Sequence, residues 1–293
     1  MNANNDPKLL FVINPGSGSS KVDWQDLVSR HFSAKKFTIV FHILEKKPNT
    51  EKLKQAIADA KPDRVIAVGG DGTVVMIAKI IGGSGLPLGI LPAGSANGMA
   101  AELDIPNDPV KALSIIEAGE IKYCDMIRIN NDDCIHLSDI GLNAQLIKYF
   151  NQGKLRGMPG YAAVVIKTLW RRRKIEVDIQ GDGTEIKTEA LMVVLANASK
   201  YGTGAVINPD GKTDDGIFEV LIIKRITLSY LLKVIFKSRD LNPADVEIFH
   251  TKKVNLQSRK NMHFQIDGEY KGKVKVIDAA ILPRHICLVV PGS

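Results

Sequence analysis

Carboxylates set beside glycine recur along this chain of 293 residues: Asp71 within Gly69-Gly70-Asp71-Gly72-Thr73, Asp215 within Asp214-Asp215-Gly216, and Asp267 within Asp267-Gly268-Glu269. Two further glycine-rich stretches, Asn14-Pro15-Gly16-Ser17-Gly18 and Pro92-Ala93-Gly94-Ser95-Ala96-Asn97-Gly98, follow apolar runs. Glycine lets main-chain N–H groups approach a ligand closely, and a helix starting just after such a turn favours an anion, so these stretches suit a phosphate cradle. Asp71 among those donors suits a Mg²⁺ held between carboxylate and phosphate; it would also serve as an N-cap for the helix expected from Thr73. Asp267-Gly268 and Asp215-Gly216 also fit Asp-Gly hairpin turns. The chain has no G-x-x-x-x-G-K-[ST] stretch and no H-R-D or D-F-G set, and the first turn lacks G-x-G-x-x-G spacing, which argues against P-loop, protein-kinase and dinucleotide-binding readings.

The elements that must carry these turns read as alternating strands and helices. Leu9–Ile13, Thr38–Ile43, Arg64–Val68 and Pro87–Leu91 are short apolar runs, each ended by turn residues or a helical stretch. A helix over Thr50–Ala60 has Leu53, Ile57 and Ala60 on one face, with Thr50 as its expected N-cap, and another helix is expected over about 73–81. This alternation predicts an α/β domain with a doubly wound parallel sheet, in which ligands bind at the carboxyl edge.

After about Asp125 the runs become short and often alternate strictly, as in Met126–Ile129, Ile175–Ile179, Leu191–Leu195, Phe218–Ile223, Val246–Phe249, Lys253–Leu256 and Met262–Ile266. That texture predicts a C-terminal antiparallel β-sandwich domain with helical insertions near 160–173 and 227–238. The domains are expected at 1–127 and 128–283, with the tail from about 284 to 293 returning to the first. Residues 1–127 carry 14 Lys+Arg and 14 Asp+Glu, whereas residues 128–293 carry 25 and 18, so the whole excess of +7 lies in the second part. Cys124, Cys134 and Cys287 form no CxxC pair, no run reaches the length of a membrane-spanning helix, and the polar start lacks a signal-peptide layout. A cytoplasmic protein is expected, able to lie at the inner face of the membrane.

The ordered set Asn14-Pro15-x-Ser17-Gly18, Gly69–Thr73, Pro92–Asn97, Asp125, Ile140-Gly141-Leu142-Asn143-Ala144, Asp214-Asp215-Gly216-x-Phe218 and Asp267-Gly268-Glu269 resembles the diacylglycerol kinase catalytic-domain family of bacterial lipid kinases, sphingosine kinases and ceramide kinases. The resemblance covers nearly the full chain. It implies a phosphofructokinase- or NAD-kinase-like first domain and ATP- and Mg-dependent transfer of a phosphoryl group to a lipid hydroxyl. It implies Asp267 as catalytic base, with Asp71 and Asp125 in an acidic, metal-linked network. Asp215 with the main-chain carbonyls of Lys212 and Ile217 would match a structural Mg²⁺ site. Asn14, Gly69, Gly70, Asp71, Gly72, Thr73, Gly94, Ser95 and Asn97 would shape the nucleotide site. The chain departs from the family pattern at Val75-Met76, where Asn-Glu is common, and at Gly98, where Asp is common.

The stretch Tyr161–Trp170 has an apolar helical face and runs into Arg171-Arg172-Arg173-Lys174, which suits a helix at an anionic bilayer as well as a core-packed helix with a basic end. Expected partners are ATP and a diacylglycerol-like or other long-chain alcohol at a membrane surface, with a homodimer allowed. Nucleic acid is not expected, since only charge favours it. The alternatives are an NAD kinase-like enzyme, which shares the Gly-Gly-Asp-Gly turn, and a non-catalytic nucleotide- or lipid-binding regulator.

Overall fold

The computed structural model describes residues 6–18, 22–145, 147, 174–198, 200–201, 205–206, 211–225 and 245–292. The chain divides into two compact units: the first runs to Cys124 and takes in Arg284 onward, and the second holds most of 125–283. The basic-ended stretch Tyr161–Arg173 and both expected helical insertions lie outside the described residues. Among the described residues no helix is long and apolar enough to cross a membrane.

The first unit alternates β1 (Lys8–Ile13), α1 (Trp24–Phe32), β2 (Thr38–Ile43), α2 (Thr50–Ala60), β3 (Arg64–Gly69), α3 (Asp71–Ile81), β4 (Pro87–Pro92), α4 (Gly98–Glu102) and α5 (Pro109–Ala118). The strands are parallel in the order β4-β3-β1-β2. Helices cover both faces, with α1 against α5 and α2 against α3, which makes the sheet doubly wound. Burial on both faces explains why β1, β3 and β4 are continuous apolar runs: every residue after the first is buried in each. The cap of α2 differs from the sequence expectation. Asn49, and not Thr50, is the N-cap, because its short amide reaches the N–H groups of Glu51 and Lys52 at 3.0 and 3.2 Å while Thr50 is already helical.

The second unit is antiparallel. Its strands are β5 (Glu120–Ile129, entering from the first unit), β6 (Asp132–Cys134), β7 (Leu137–Gly141), β8 (Ile175–Gly181), β9 (Thr184–Ala190), β10 (Met192–Ala196), β11 (Lys200–Tyr201), β12 (Ala205–Val206), β13 (Phe218–Ile223), β14 (Val246–Thr251), β15 (Lys253–Ile266) and β16 (Glu269–Val290). One sheet runs β14-β13-β10-β7-β15-β16. The long β15 pairs β8 through Asn255–Gln257 and β7 through Phe264–Ile266, on either side of a register break between Gln257 and Met262. The sandwich core joins Ile127, Val177, Ile179, Leu195, Phe218, Val220, Leu256, Phe264 and Ile277. A second cluster on the opposite face takes Leu137, Val194, Leu221 and Ile223, so β13 is buried throughout and reads as an unbroken apolar run. The end of β16 pairs in parallel with β4 through Cys287 and Leu288, adding a strand to the first unit.

Candidate active site

Three connections at the carboxyl ends of β1, β3 and β4 meet at one edge of the parallel sheet. Gly18 has φ +69°, and a Cβ there would lie 2.3 Å from the Ala93 carbonyl oxygen. A Cβ on Gly94 would lie 2.5 Å from the Gly70 Cα, so the second and third turns pack main chain on main chain. Asn14 joins the first turn to α3: its Nδ2 donates to the Thr73 hydroxyl at 3.0 Å, and its Oδ1 accepts from the Gly16 N–H at 3.0 Å. Thr73 is buried, and its main-chain N–H donates to the Gly70 carbonyl. It braces the turn from within.

Helix α3 starts from Gly70, and no side chain caps its first turn, which leaves the helix N-terminus suited to an anionic ligand. Asp71 is the first residue of α3 and does not cap it. Its two carboxylate oxygens accept instead from the N–H groups of Gly98 and Met99, at 2.9 and 3.0 Å, and so fix the start of α4. Asn97 has φ +52°; its Oδ1 accepts from the Gly94 N–H, and its Nδ2 donates to the Gly94 carbonyl and to Asn107. Ser95 is exposed between them. Of the departures from the family pattern, Val75 is buried and Gly98 contributes only its N–H.

In the second unit, Asp125 and Asp267 belong to one hydrogen-bonded frame. Asp125 is buried; its N–H donates to the Thr213 carbonyl at 2.6 Å, and its Oδ2 accepts from the Gly216 N–H at 2.7 Å. The Asn197 amide donates to the carbonyls of Asp125 and Ile135, at 2.7 and 3.1 Å. Asp267 opens the turn between β15 and β16 at φ +48°, followed by Gly268 at φ +82°. Its Oδ1 accepts from the N–H groups of His136 (3.0 Å) and Leu137 (3.3 Å) and from the Cys134 thiol (3.3 Å), and its Oδ2 from the Ile135 N–H (3.2 Å). The carboxylate is therefore held in a nest of successive main-chain donors, with Oδ2 the less occupied oxygen.

Asp215 is exposed, and its Oδ1 accepts from the Ile217 N–H at 3.3 Å. With the carbonyls of Lys212 and Ile217 it offers only oxygen donors, a set that fits a hard divalent cation. Among the described residues no group of three or more His, Cys, Asp or Glu gathers around one point, so such a site would depend on main-chain carbonyls.

Sequence reasoning missed Asp139 and Gln265. Asp139 is buried in β7 and accepts from Asn143 Nδ2 (2.5 Å), Gln265 Nε2 (2.5 Å) and the Ala144 N–H (2.8 Å). Burial raises its pKa from 3.8 to about 6, against the lowering effect of those hydrogen bonds. The available signal was an acidic residue directly before the Ile140-Gly141-Leu142 stretch, in a strand that is buried throughout.

The diacylglycerol kinase catalytic domain profile matches residues 8–129, and the YegS C-terminal NAD kinase beta sandwich-like domain profile matches residues 138–290. A diacylglycerol kinase of Staphylococcus aureus (strain bovine RF122 / ET3-1) is 30% identical over 258 residues, 83% of this chain and 81% of that protein. The crystal structure of a diacylglycerol kinase from Bacillus anthracis str. Sterne superposes with a TM-score of 0.74 at 18% identity, covering 99% of this chain and 98% of that one. Another structure from the same organism reaches 0.80 at 22% identity over the same shares. These two likenesses establish the fold, the sequence matches establish the kinship, and the chain belongs to the diacylglycerol kinase family of lipid kinases.

Proposed function

We propose that this protein transfers the γ-phosphoryl group of ATP, with Mg²⁺, to the hydroxyl of a diacylglycerol-like or other long-chain lipid alcohol, with Asp267 as general base. The observation that carries this reading is the Asp267 carboxylate, fixed by the N–H groups of Ile135, His136 and Leu137 with Oδ2 accepting from only one of them. In phosphoryl transfer the protein's task is alignment and charge stabilisation, plus a carboxylate to receive the acceptor proton.

Oδ2 of Asp267 takes the hydroxyl proton as the lipid oxygen bonds to the γ-phosphorus, the bond from that phosphorus to the bridging oxygen breaks, and ADP leaves. The turns at Gly70 and Gly94 with the N-terminus of α3 bind the nucleotide phosphates, Ser95 adds an exposed hydroxyl, and Asn14 and Thr73 keep the first two turns together. Asp71 orders α4 beside them. Bound Mg²⁺ would neutralise phosphate charge, and Asp215 with the Lys212 and Ile217 carbonyls would hold a second, structural ion. Asp125 fixes the 213–216 segment that presents those oxygens.

The test is incubation with γ-labelled ATP and Mg²⁺ against diacylglycerol, a sphingoid base and NAD. Label in a lipid supports the proposal. Label in NAD alone would replace it with NAD kinase activity, and ATP binding without turnover would make the protein a regulator.

A further inference from the structure

Gln265 is completely buried two residues before Asp267, and its amide is oriented by partners of opposite kind. Its Nε2 donates to Asp139 Oδ2 at 2.5 Å, and its Oε1 accepts from the Gly268 N–H at 2.7 Å. A carboxylate accepts and an N–H donates, so the amide has a single allowed orientation. The register places Gln265 opposite Asp139 and Ile266 opposite Ser138, while the Asp267 N–H donates to the Leu137 carbonyl and the Ser138 hydroxyl to the Gln265 carbonyl. One strand, β7, thus grips both halves of the turn: Leu137 holds Asp267, and Asp139 holds Gly268 through Gln265.

Such a grip has a physical purpose. A non-glycine residue in the left-handed region persists where its surroundings over-determine it, at a cost of order 1–3 kcal/mol, and Asp267 has φ +48°. Two apolar side chains would join β7 to β15 without burying a charge. We propose that Asp139 and Gln265 are positioning residues that lock the Asp267-Gly268 turn so that the Asp267 carboxylate meets the acceptor hydroxyl. The proposal rests on the assignment of Asp267 as base and adds the two residues that aim it.

The test uses the full chain with ATP, Mg²⁺ and diacylglycerol in mixed micelles, beside amide hydrogen exchange at Gly268. Gln265→Met should lower kcat about 10- to 100-fold, the scale expected of a misplaced reacting group, with KM for ATP changed by less than about twofold, and should speed Gly268 exchange by roughly tenfold or more. In an Asp267→Asn background Gln265→Met should cost little more, since both changes act on one group. The reciprocal pair Asp139→Asn with Gln265→Glu restores a donor facing an acceptor between the strands, with the Asn143 amide turned so that its oxygen accepts the second proton of the new amide, and should recover most of the kcat that either single change loses. The pair also decides the matter if Gln265→Met does not fold: a folded pair no faster than the single variants overturns the proposal. Unchanged Gly268 exchange in Gln265→Met overturns it without reference to turnover, as does unchanged kcat when Asp267→Asn is inactive. Full activity in Asp267→Asn instead removes the base assignment itself, and Gly268 exchange then still reports whether Gln265 holds the turn.

Discussion

Asp267 sits at the first left-handed position of a hairpin turn, with main-chain donors from three successive residues on its carboxylate. Asparagine tolerates that backbone conformation and keeps the side-chain shape. Asp267→Asn should therefore fold and bind ATP, at a stability cost of about 1–3 kcal/mol because its Nδ2 would face the Ile135 N–H, while kcat falls by about 10²–10⁴, the range general-base catalysis supplies; steady-state assays beside a thermal melt check both halves. Asp139 makes a prediction about pH. Its carboxyl ionises near pH 6 in the folded protein, against 3.8 as the ordinary value, because burial penalises the charge. The folded state holds this proton more tightly than the unfolded chain, so the stability that Asp139 contributes is present below about pH 4 and is lost as pH rises to about 6. The difference is (6 − 3.8) × 1.36, about 3 kcal/mol. Denaturant unfolding at pH 4.5 and 7 should show Asp139→Asn lacking about 2 kcal/mol of the decline between those conditions; an identical decline in both proteins counts against a charged, buried Asp139.

The elements of the first unit owe their arrangement to close approaches of main chain. A methyl group on Gly94 would meet the Gly70 Cα at 2.5 Å, and backbone cannot swing aside as a long side chain can. Gly94→Ala should push the two turns apart, costing about 1–3 kcal/mol of stability as overpacking does and weakening ATP binding about tenfold or more if the turns grip the phosphates. Calorimetric titration with ATP checks this, and an unchanged Kd would mean that the second and third turns do not form the nucleotide site. The strands carrying these turns were legible as apolar runs because parallel strands are buried on both faces. The cap of α2 falls one residue before the expected Thr50, since Asn49 and Thr50 are both good capping residues and only the backbone decides which one stands outside the helix.

At the scale of the molecule, the chain's last strand completes a sheet begun at its first. Ile286, Cys287, Leu288 and Val289 are 1–3% exposed, and β16 pairs with β4 in the first unit. Burying four such side chains contributes on the order of 6–12 kcal/mol, comparable to the whole stability of a typical domain. A chain truncated after Pro283 should lose the cooperative unfolding of its first unit, seen as a missing transition in calorimetry. A retained transition would show that β16 is dispensable there.

Local pattern alone determined the alternation of strands and helices in the first part, the short alternating strands of the second, and the glycine turns with their carboxylates. Those features follow from period, turn chemistry and backbone freedom, which neighbouring residues fix among themselves. Only the tertiary structure decided what each carboxylate does with its oxygens. Asp71 turns to the N–H groups of α4, Asp125 to the 213–216 segment, and Asp267 to three main-chain donors more than a hundred residues earlier in the chain. The partnership of Asp139 with Gln265 had no sequence signature, because it arises from the register of two strands 126 residues apart. Hydrogen-bond direction across a sheet depends on which residues come to face each other, and the pairing of distant strands settles that.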